Sequence, residues 1–422
     1  MRFVTSSDSI MKARIEDGVV YSPHPSIDIP LCSFCCLTRE RLLVNPDKTA
    51  LVDDATSLTR VEVLSRMQRY AVGFRQNGVV PGDRICIYLK NSIDNLLAAY
   101  GCIMAGATVV LAKTSLTESE LRYEAEDSDS THVLTDVELT EKVSRAVQSL
   151  PLKGLFCMGH AAGFVSAAEF AKLDEKEYQE LPVPDPKNTV LAVAYTSGTT
   201  GLPKGTELTH YNFVACVYST TLRFHGTGGG GGGRRRKDRG VINFVTGKKL
   251  GPHEIGEIRF QIDGMARGYY KRPKESAELF DEEGWCKSGD AGYYDEDGRL
   301  YIVERLKQLI KCRDNQVVPA ELEELLLREH STDIAEISIV GLPHSEYGEA
   351  PAAAVVLTRE GRNKDLKLLA GSIKATVQSH LATHKHLHGG VIFLESLPKT
   401  DTGKVNKPKV VRLITQEQTL LI

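Results

Sequence analysis

From Thr49 onward, short apolar runs alternate with amphipathic stretches, and this alternation narrows the admissible architectures more than any other feature of the chain. Ala50 to Val52 is an apolar run, Thr59 to Gln76 has the spacing of an amphipathic helix, Gly78 to Asp83 is a turn, and Arg84 to Lys90 is a strand. Leu96 to Ala112 carries no charge. It reaches only the lower edge of the ~17–25 residues a membrane-spanning helix needs, and Gly101 and Gly106 interrupt it. It reads as an apolar helix capped near Gly106, followed by a buried strand from Thr108 to Leu111. Helices over Ser115 to Asp127 and Leu139 to Leu150 flank a strand at His132 to Thr135, and a further strand follows at Thr189 to Tyr195. Strand and helix in regular alternation imply an α/β protein with a mainly parallel sheet and helices on its faces.

The pattern breaks once. Gly228 to Gly233 is a run of glycines followed by Arg234, Arg235, Arg236, Lys237, Asp238 and Arg239. Such a run has no side chains to bury and reads as a linker or junction, with a basic anion-binding arm as the alternative. Beyond it, Gly256 to Ile262 alternates as a half-buried strand, and Tyr293 to Val303 is a hairpin turning at Asp297-Gly298. Pro319 to His330 and Leu366 to Thr383 read as helices, and Ile337 to Val340, Ala353 to Leu357 and Val391 to Leu394 as strands. A length of 422 residues accommodates one large and one small domain.

Composition excludes several classes. The 52 basic and 55 acidic residues leave a net charge of −3, so neither nucleic acid nor an anionic membrane is expected as the main partner. Nine cysteines is an odd number, and the opening M-R-F-V-T-S-S-D-S-I has no apolar signal-peptide core, so a soluble intracellular protein is expected rather than a secreted one held by disulfides. Cys32, Cys35 and Cys36 lack a second pair at metal-ligand spacing and read as free thiols, so no metal site is expected from the protein's own ligands. His384, His386 and His388 alternate in a loop-like stretch and read as solvated.

The segment with most chemistry is Tyr195 to Gly205, Y-T-S-G-T-T-G-L-P-K-G, directly after a strand. The hydroxyls of Thr196, Ser197, Thr199 and Thr200 can donate to phosphate oxygens. Gly198, Gly201 and Gly205 let backbone amides approach an anion, and Lys204 supplies charge. It is not the G-x-x-x-x-G-K-[ST] loop, because Pro203 precedes the lysine and Gly205 follows it. A plain strand-to-helix turn is the bland alternative.

This segment resembles the phosphate-binding loop of the adenylate-forming superfamily, which includes acyl- and aryl-CoA synthetases, 4-coumarate-CoA ligases and firefly-type luciferases. Three further segments match that family in the same order: Lys287 to Asp290 (K-S-G-D) after G-W-C, Arg305 to Lys311 (R-L-K-Q-L-I-K), and Pro398 to Lys404 (P-K-T-D-T-G-K). The resemblance covers roughly residues 25–213 and 244–412. It implies a large N-terminal adenylation domain over 1–305, interrupted by the junction at about 226–240, and a small mobile α+β domain over 306–422. The implied reaction joins a carboxylate to the α-phosphate of ATP and then passes the acyl group to coenzyme A, with Mg²⁺ as companion of the nucleotide.

The resemblance also implies roles. Thr196, Ser197, Gly198, Thr199, Thr200, Gly201 and Lys204 would hold the β- and γ-phosphates, Asp290 would accept from both ribose hydroxyls, and Arg305 would help hold the ribose. Lys307 would be the hinge, Lys404 would bridge carboxylate and α-phosphate, and Lys311 would serve the second, thioester-forming orientation. Each has a plainer alternative: Asp290 as a loop cap, Lys307 and Lys311 as one solvated face, Lys404 as a surface lysine.

The family pattern is also incomplete. Between Thr209 to Asn212 (T-H-Y-N) and the T-G-K-K-L-G-P segment from Thr246, relatives carry the acyl pocket and a Y-G-x-T-E-type motif that engages the nucleotide and Mg²⁺, and no such motif occurs here. After Lys311, Cys312, Arg313, Asp314 and Asn315 stand where relatives have an aromatic residue and a glycine-containing turn before Gln316. The C-terminal T-L-L-I is not an S-K-L-type signal, so a cytoplasmic or a peroxisomal location remains open. Three readings follow: an AMP-forming acid-thiol ligase with a shortened large domain, a non-catalytic remnant that binds nucleotide weakly or acts as an interaction protein, and a luciferase-like oxygenase.

Overall fold

The computed structural model describes residues 12–23, 28–54, 56–196, 202–224, 238–313, 315–400 and 403–416. The chain is α/β and divides into two compact units, Ser22–Asp238 with Gln261–Cys286, and Met1–Tyr21 with Arg239–Phe260 and Lys287–Ile422. The poly-glycine run and the arginines after it lie outside the described residues.

In the first unit the strand Arg84–Tyr88 is central. It pairs in parallel with Thr108–Leu111 on one side and His132–Asp136 on the other. Gly154–Met158 and Val165–Ser166 extend the parallel part beyond His132–Asp136, and Val190–Thr196 extends it beyond Thr108–Leu111. The sheet then turns antiparallel with Lys204–Thr209 and Gly268–Tyr269. Pleating sends alternate side chains to opposite faces. Ile85 and Ile87 join Val109, Leu134 and Leu191 against the helices Arg60–Gln76 and Ile93–Met104, through Leu64, Met67, Phe74 and Leu97. Cys86 and Tyr88 join Val110, Val133 and Val193 on the other face, against Leu121 and Ala125 of Glu118–Asp127 and Val143 and Ala146 of Thr140–Val147. The middles of the central strands are apolar on both faces, as a parallel sheet between two helix layers requires, while His132 and Thr135 are buried polar exceptions that hydrogen-bond Thr131 and the Tyr88 carbonyl.

Local signals fix the ends of these helices. Thr59 caps Arg60–Gln76 in a reciprocal capping box with Glu62. The apolar stretch Leu96 to Ala112 resolves into the helix Ile93–Met104, a cap at Gly106, and the strand Thr108–Leu111. Gly106 has φ +97°, its N–H donates to Ile103, and the N–H of Ala107 donates back to Cys102, the bonding of a Schellman cap. Among the described residues no helix is long and apolar enough to cross a membrane. The T-H-Y-N stretch starts the helix His210–Phe224: Thr209 N–H donates to Asn212 Oδ1 at 2.6 Å, and Asn212 N–H returns to Thr209 Oγ1 at 3.2 Å. His210 Nδ1 accepts the N–H of Phe34, and burial pushes the imidazole down to about 4, so the ring stays neutral.

One part of this unit is left uncovered. Thr49–Val52 and Ser57–Thr59 form a two-stranded sheet of their own, with Val52 68% exposed. Beside it lies a hollow of about 320 Å³ lined by Leu51, Phe34, Met67, Leu97, Tyr100 and Val217.

In the second unit one sheet runs in the order Arg14–Glu16, Val19–Tyr21, Asp238–Ile242, Gly256–Gln261, Cys286–Tyr294 and Leu300–Arg305. Another contains Asn315–Val317, Ile310–Cys312, Gly348–Leu357 and Ile334–His344, with Val391–Phe393 pairing in parallel to Gly348–Leu357. The helices Pro319–Glu329 and Leu366–His380 cover one face through Leu322, Leu326, Leu369 and Ile373. Lys407–Gln416 covers the other through Val410 and Ile414. The strands Ile334–His344 and Gly348–Leu357 run longer than the apolar runs at 337–340 and 353–357, because cross-strand pairing carries the ladder into more polar flanks.

Close approach of Arg60–Gln76 and Ile93–Met104 depends on Gly101. A Cβ there would stand 2.3 Å from Cβ of Tyr70, an atom that cannot move without its helix. Gly101→Ala gains about 1 kcal/mol of helix propensity but meets an overpacking cost of about 1–3 kcal/mol. We expect the variant to be less stable by about 1–2 kcal/mol, seen as a lower urea midpoint; an unchanged or higher midpoint would show that the two helices can part at no cost.

Candidate functional site

The hydroxyl-rich segment is the connection of a hairpin, not the strand-to-helix turn offered as its bland alternative. Val190–Thr196 leads into it, and Lys204–Thr209 returns antiparallel, with Thr196 opposite Lys204 and Tyr195 opposite Gly205. Ser197, Gly198, Thr199, Thr200 and Gly201 lie outside the described residues, so the structure defines the two feet of the loop. Thr196 is exposed at the end of its strand, and its Oγ1 approaches the carbonyl of Lys204 at 3.4 Å. Lys204 Nζ stands 3.7 Å from Glu275 and 5.5 Å from the centre of the Tyr269 ring. Gly205 has a different reason from the anion approach expected of it. A Cβ at 205 would lie 2.7 Å from Val193 and 3.2 Å from the Tyr195 ring, so the glycine lets that ring cross the strand pair.

Residues that no motif marks brace these feet. Tyr195 donates to Asp127 Oδ2 at 2.8 Å, Arg272 binds the other oxygen of Asp127 at 2.7 Å, and Tyr123 donates to the carbonyl of Pro203 at 2.9 Å. Burial, followed by the bond to Asp127, raises the Tyr195 phenol far above its usual range, so it remains a hydrogen-bond donor. Asp127 ends the helix Glu118–Asp127 and Tyr123 lies in its middle, 68 and 80 positions from the partners they hold, and no local pattern signals their role. The same helix carries Glu124, 5% exposed, with an Oε2 that meets no hydrogen-bond partner among the described residues. Burial, then the nearby Glu120, lifts its carboxyl to about 7.

The K-S-G-D motif lies in the second unit. Ser288 Oγ donates to the Ile258 carbonyl at 2.6 Å and accepts the N–H of Asp290 at 3.0 Å, while Gly289 takes φ +71° between them. The turn presents Asp290 at the register position opposite Arg305, and Arg305 Nε meets Asp290 Oδ1 at 2.8 Å. Two residues fifteen positions apart are thus neighbours because Cys286–Tyr294 and Leu300–Arg305 are a paired hairpin. The guanidinium holds one carboxylate oxygen and leaves acceptor capacity on the other.

Lys307 falls in a single turn, Leu306–Gln308, that separates Leu300–Arg305 from Ile310–Cys312. Lys311 follows on that second strand. Ile310 and Cys312 are buried, so alternation sends the Lys311 side chain outward, while its N–H donates to Glu349 Oε2 at 2.7 Å. Asp314 lies outside the described residues. Lys404 stands at the neck of a tight turn: Lys399 bridges to Val405, Thr400 N–H donates to the Lys404 carbonyl at 2.8 Å, and Gly403 has φ +81°. Neither ammonium, that of Lys311 or of Lys404, has a carboxylate partner among the described residues.

Of the histidines at 384, 386 and 388, the last two are held by the fold and not simply solvated as expected. His386 and His388 bond the carbonyls of Leu381 and Thr383, and His388 stacks on Tyr347 with ring centres 4.2 Å apart. Cys32, Cys35 and Cys36 are free thiols, and burial pushes Cys35 to about 12.

Two family models match separate stretches of the chain. The model of the AMP-binding enzyme family matches residues 38–235, and that of the AMP-binding enzyme C-terminal domain matches residues 321–404. A luciferin 4-monooxygenase of Photuris pensylvanica is 41% identical over 173 residues, 41% of this chain, and the chain covers only 30% of that protein's length. A probable 4-coumarate-CoA ligase of Dictyostelium discoideum is 39% identical over 165 residues, again covering 29% of its length. An acyl-CoA synthetase of Caenorhabditis elegans is 24% identical over 502 residues, 86% of this chain and 92% of the relative. That alignment is longer than the 422 residues of this chain, so the relative carries chain that is missing here. Among solved structures, ATP-bound MatB from Rhodopseudomonas palustris shares the fold with a TM-score of 0.74 at 19% identity, covering 90% of this chain and 98% of that one.

Glu124 gives a prediction in pH. Its carboxyl titrates near 4.5 when unfolded and near 7 when folded, so stability is lost as pH rises from 4.5 through about 7. Glu124→Gln should flatten that window and make the protein about 3 kcal/mol more stable at pH 8. Urea unfolding at pH 5 and pH 8 checks it, and equal slopes for the two proteins would refute a buried titrating carboxyl.

Proposed function

This chain belongs to the adenylate-forming family of AMP-binding enzymes, and on that premise we propose that it activates a carboxylic acid, fatty or aryl, with ATP to an acyl-adenylate and passes it to coenzyme A. The observation that carries the reading is the cross-strand pair of Asp290 and Arg305, with a carboxylate oriented by a guanidinium and still able to accept ribose hydroxyls. In this reading residues 1–305, broken at about 226–240, are the adenylation part, and residues 306–422 are the small moving part.

The chemistry asked of each residue follows from charge. Attack of a carboxylate on the α-phosphate gathers negative charge at one centre, and preorganised cations lower that barrier most. Lys404, beside the turn and without a carboxylate partner among the described residues, is the cation offered for that task. The segment from Thr196 through Ser197, Gly198, Thr199, Thr200 and Gly201 to Lys204 takes the β- and γ-phosphates, its feet held by Tyr195 and Tyr123. Lys307 supplies the pivot, and Lys311, turned outward beside it, belongs to the thioester-forming step. Mg²⁺ would accompany the nucleotide and neutralise its phosphates. Among the described residues no cluster of three His, Cys, Asp or Glu side chains is placed to hold it, so no step is assigned to a protein-bound metal.

A second reading is favoured by a separate observation. The Y-G-x-T-E-type motif is absent from the sequence, and relatives carry additional chain. A remnant of this kind would bind ATP weakly and turn nothing over. A luciferase-like oxygenase shares the adenylation half and would differ only after the adenylate forms.

The deciding experiment is ATP-dependent pyrophosphate release by the full chain against a panel of fatty and aryl acids. We expect release that requires acid and falls by ~10²–10³-fold in Lys404→Ala. A folded, soluble chain that binds ATP and releases nothing with any acid would leave the remnant reading standing.

A further inference from the structure

Glu304 closes the strand Leu300–Arg305, one residue before the turn that contains Lys307. Its carboxylate is divided between two tasks: Oε1 accepts the backbone N–H of Arg305 at 3.0 Å, and Oε2 faces Lys407 Nζ at 3.5 Å. Lys407 opens the helix Lys407–Gln416 and also reaches Glu323 Oε1, on the helix Pro319–Glu329, at 3.4 Å. Glu323 Oε1 in turn accepts the N–H of Ile339 at 2.8 Å. The three side chains are only 15–22% exposed, so water screens them less than it screens a surface pair. One ammonium therefore serves two carboxylates, one on each side of the turn.

From this arrangement we propose that Lys407 is a positioning residue whose ion pair with Glu304 latches the C-terminal part in the orientation seen here, and that Glu304 is the partner it gives up when that part turns. The proposal rests on the hinge role assigned to Lys307 above. Lys407 and Glu323 both follow the hinge and travel together, whereas Glu304 stays with the Asp290–Arg305 pair. Rotation thus breaks one contact of the cluster and leaves Lys407 neutralised by Glu323. Such an exchangeable pair suits a moving part better than a tight one, because a strongly bound latch would slow every turn. Lys404 lies three residues before Lys407, so the latch also fixes the turn that presents Lys404 relative to Asp290 and its arginine. A small apolar cluster of Ala291, Leu309 and Val318, with Val303 and Leu306 packed on it, closes the same seam, and the latch adds to it.

Hydrogen exchange of the full chain tests this without requiring turnover. In Lys407→Met and in Glu304→Gln, the amides of residues 306–309 should exchange about three- to ten-fold faster, as loss of a half-shielded pair implies. Exchange in the helix Leu366–His380 should not change. Lys407→Arg should restore the slow rate, and combining Lys407→Met with Glu304→Gln should add nothing beyond either alone. Hinge amides that exchange at the parental rate in both single variants, or that quicken equally with those of Leu366–His380, would overturn the latch. Failure of pyrophosphate release in the parental chain would refute the ligase reading and leave this result untouched.

Discussion

The pleat of one strand organises the larger unit. Arg84–Tyr88 has parallel neighbours on both sides and must bury both faces, so its residues cannot alternate apolar with polar as a solvent-facing strand does. Ile85 and Ile87 commit one face to the helices Arg60–Gln76 and Ile93–Met104, and Cys86 and Tyr88 commit the other to Glu118–Asp127 and Thr140–Val147. A slip of one residue would exchange the two faces and misplace every neighbour. The last parallel strand, Val190–Thr196, inherits that register, and its end is where the hydroxyl-rich loop begins. The position of Thr196 is in this sense set by the packing of a strand two places away in the sheet.

Much of this was legible in the sequence because the signals are local. The cap at Gly106, the strand after it, the amphipathic helix from Thr59 to Gln76 and the Asp297-Gly298 turn each depend on neighbours within a few residues. The elements that escaped were those decided at long range. Asp127 and Tyr123 brace a loop far along the chain, and nothing in their spacing distinguishes them from other residues of an acidic helix. Gly205 sits inside a motif and invites a motif explanation, yet its need is steric, set by the Tyr195 ring on the paired strand. The histidines at 384, 386 and 388 alternate as exposed residues do, but the carbonyl partners of His386 and His388 lie five positions back in a turn that period alone does not define.

The candidate site is legible to a similar limit. Four motifs in order announce the chemistry, and the hairpin Cys286–Tyr294 and Leu300–Arg305 joins two of their residues, Asp290 and Arg305, in one ion pair. The sequence could not reveal that the residue beside Arg305, Glu304, shares a lysine with a helix beyond the turn Leu306–Gln308. Such a link depends on tertiary placement of three elements, and only the fold supplies it.

The uncovered hollow beside Thr49–Val52 has a thermodynamic consequence. Apolar surface that water already wets in the native state is not newly hydrated on unfolding, and newly hydrated apolar surface is the source of the heat-capacity increment. Per residue, the open hollow therefore adds less to the increment than the same face would if it were covered, and stability varies more gently with temperature. Its denaturant dependence is shallower for the same reason, since the slope follows the area exposed. A broad, low transition in this protein would reflect surface it never buried, not a loss of cooperativity in the core.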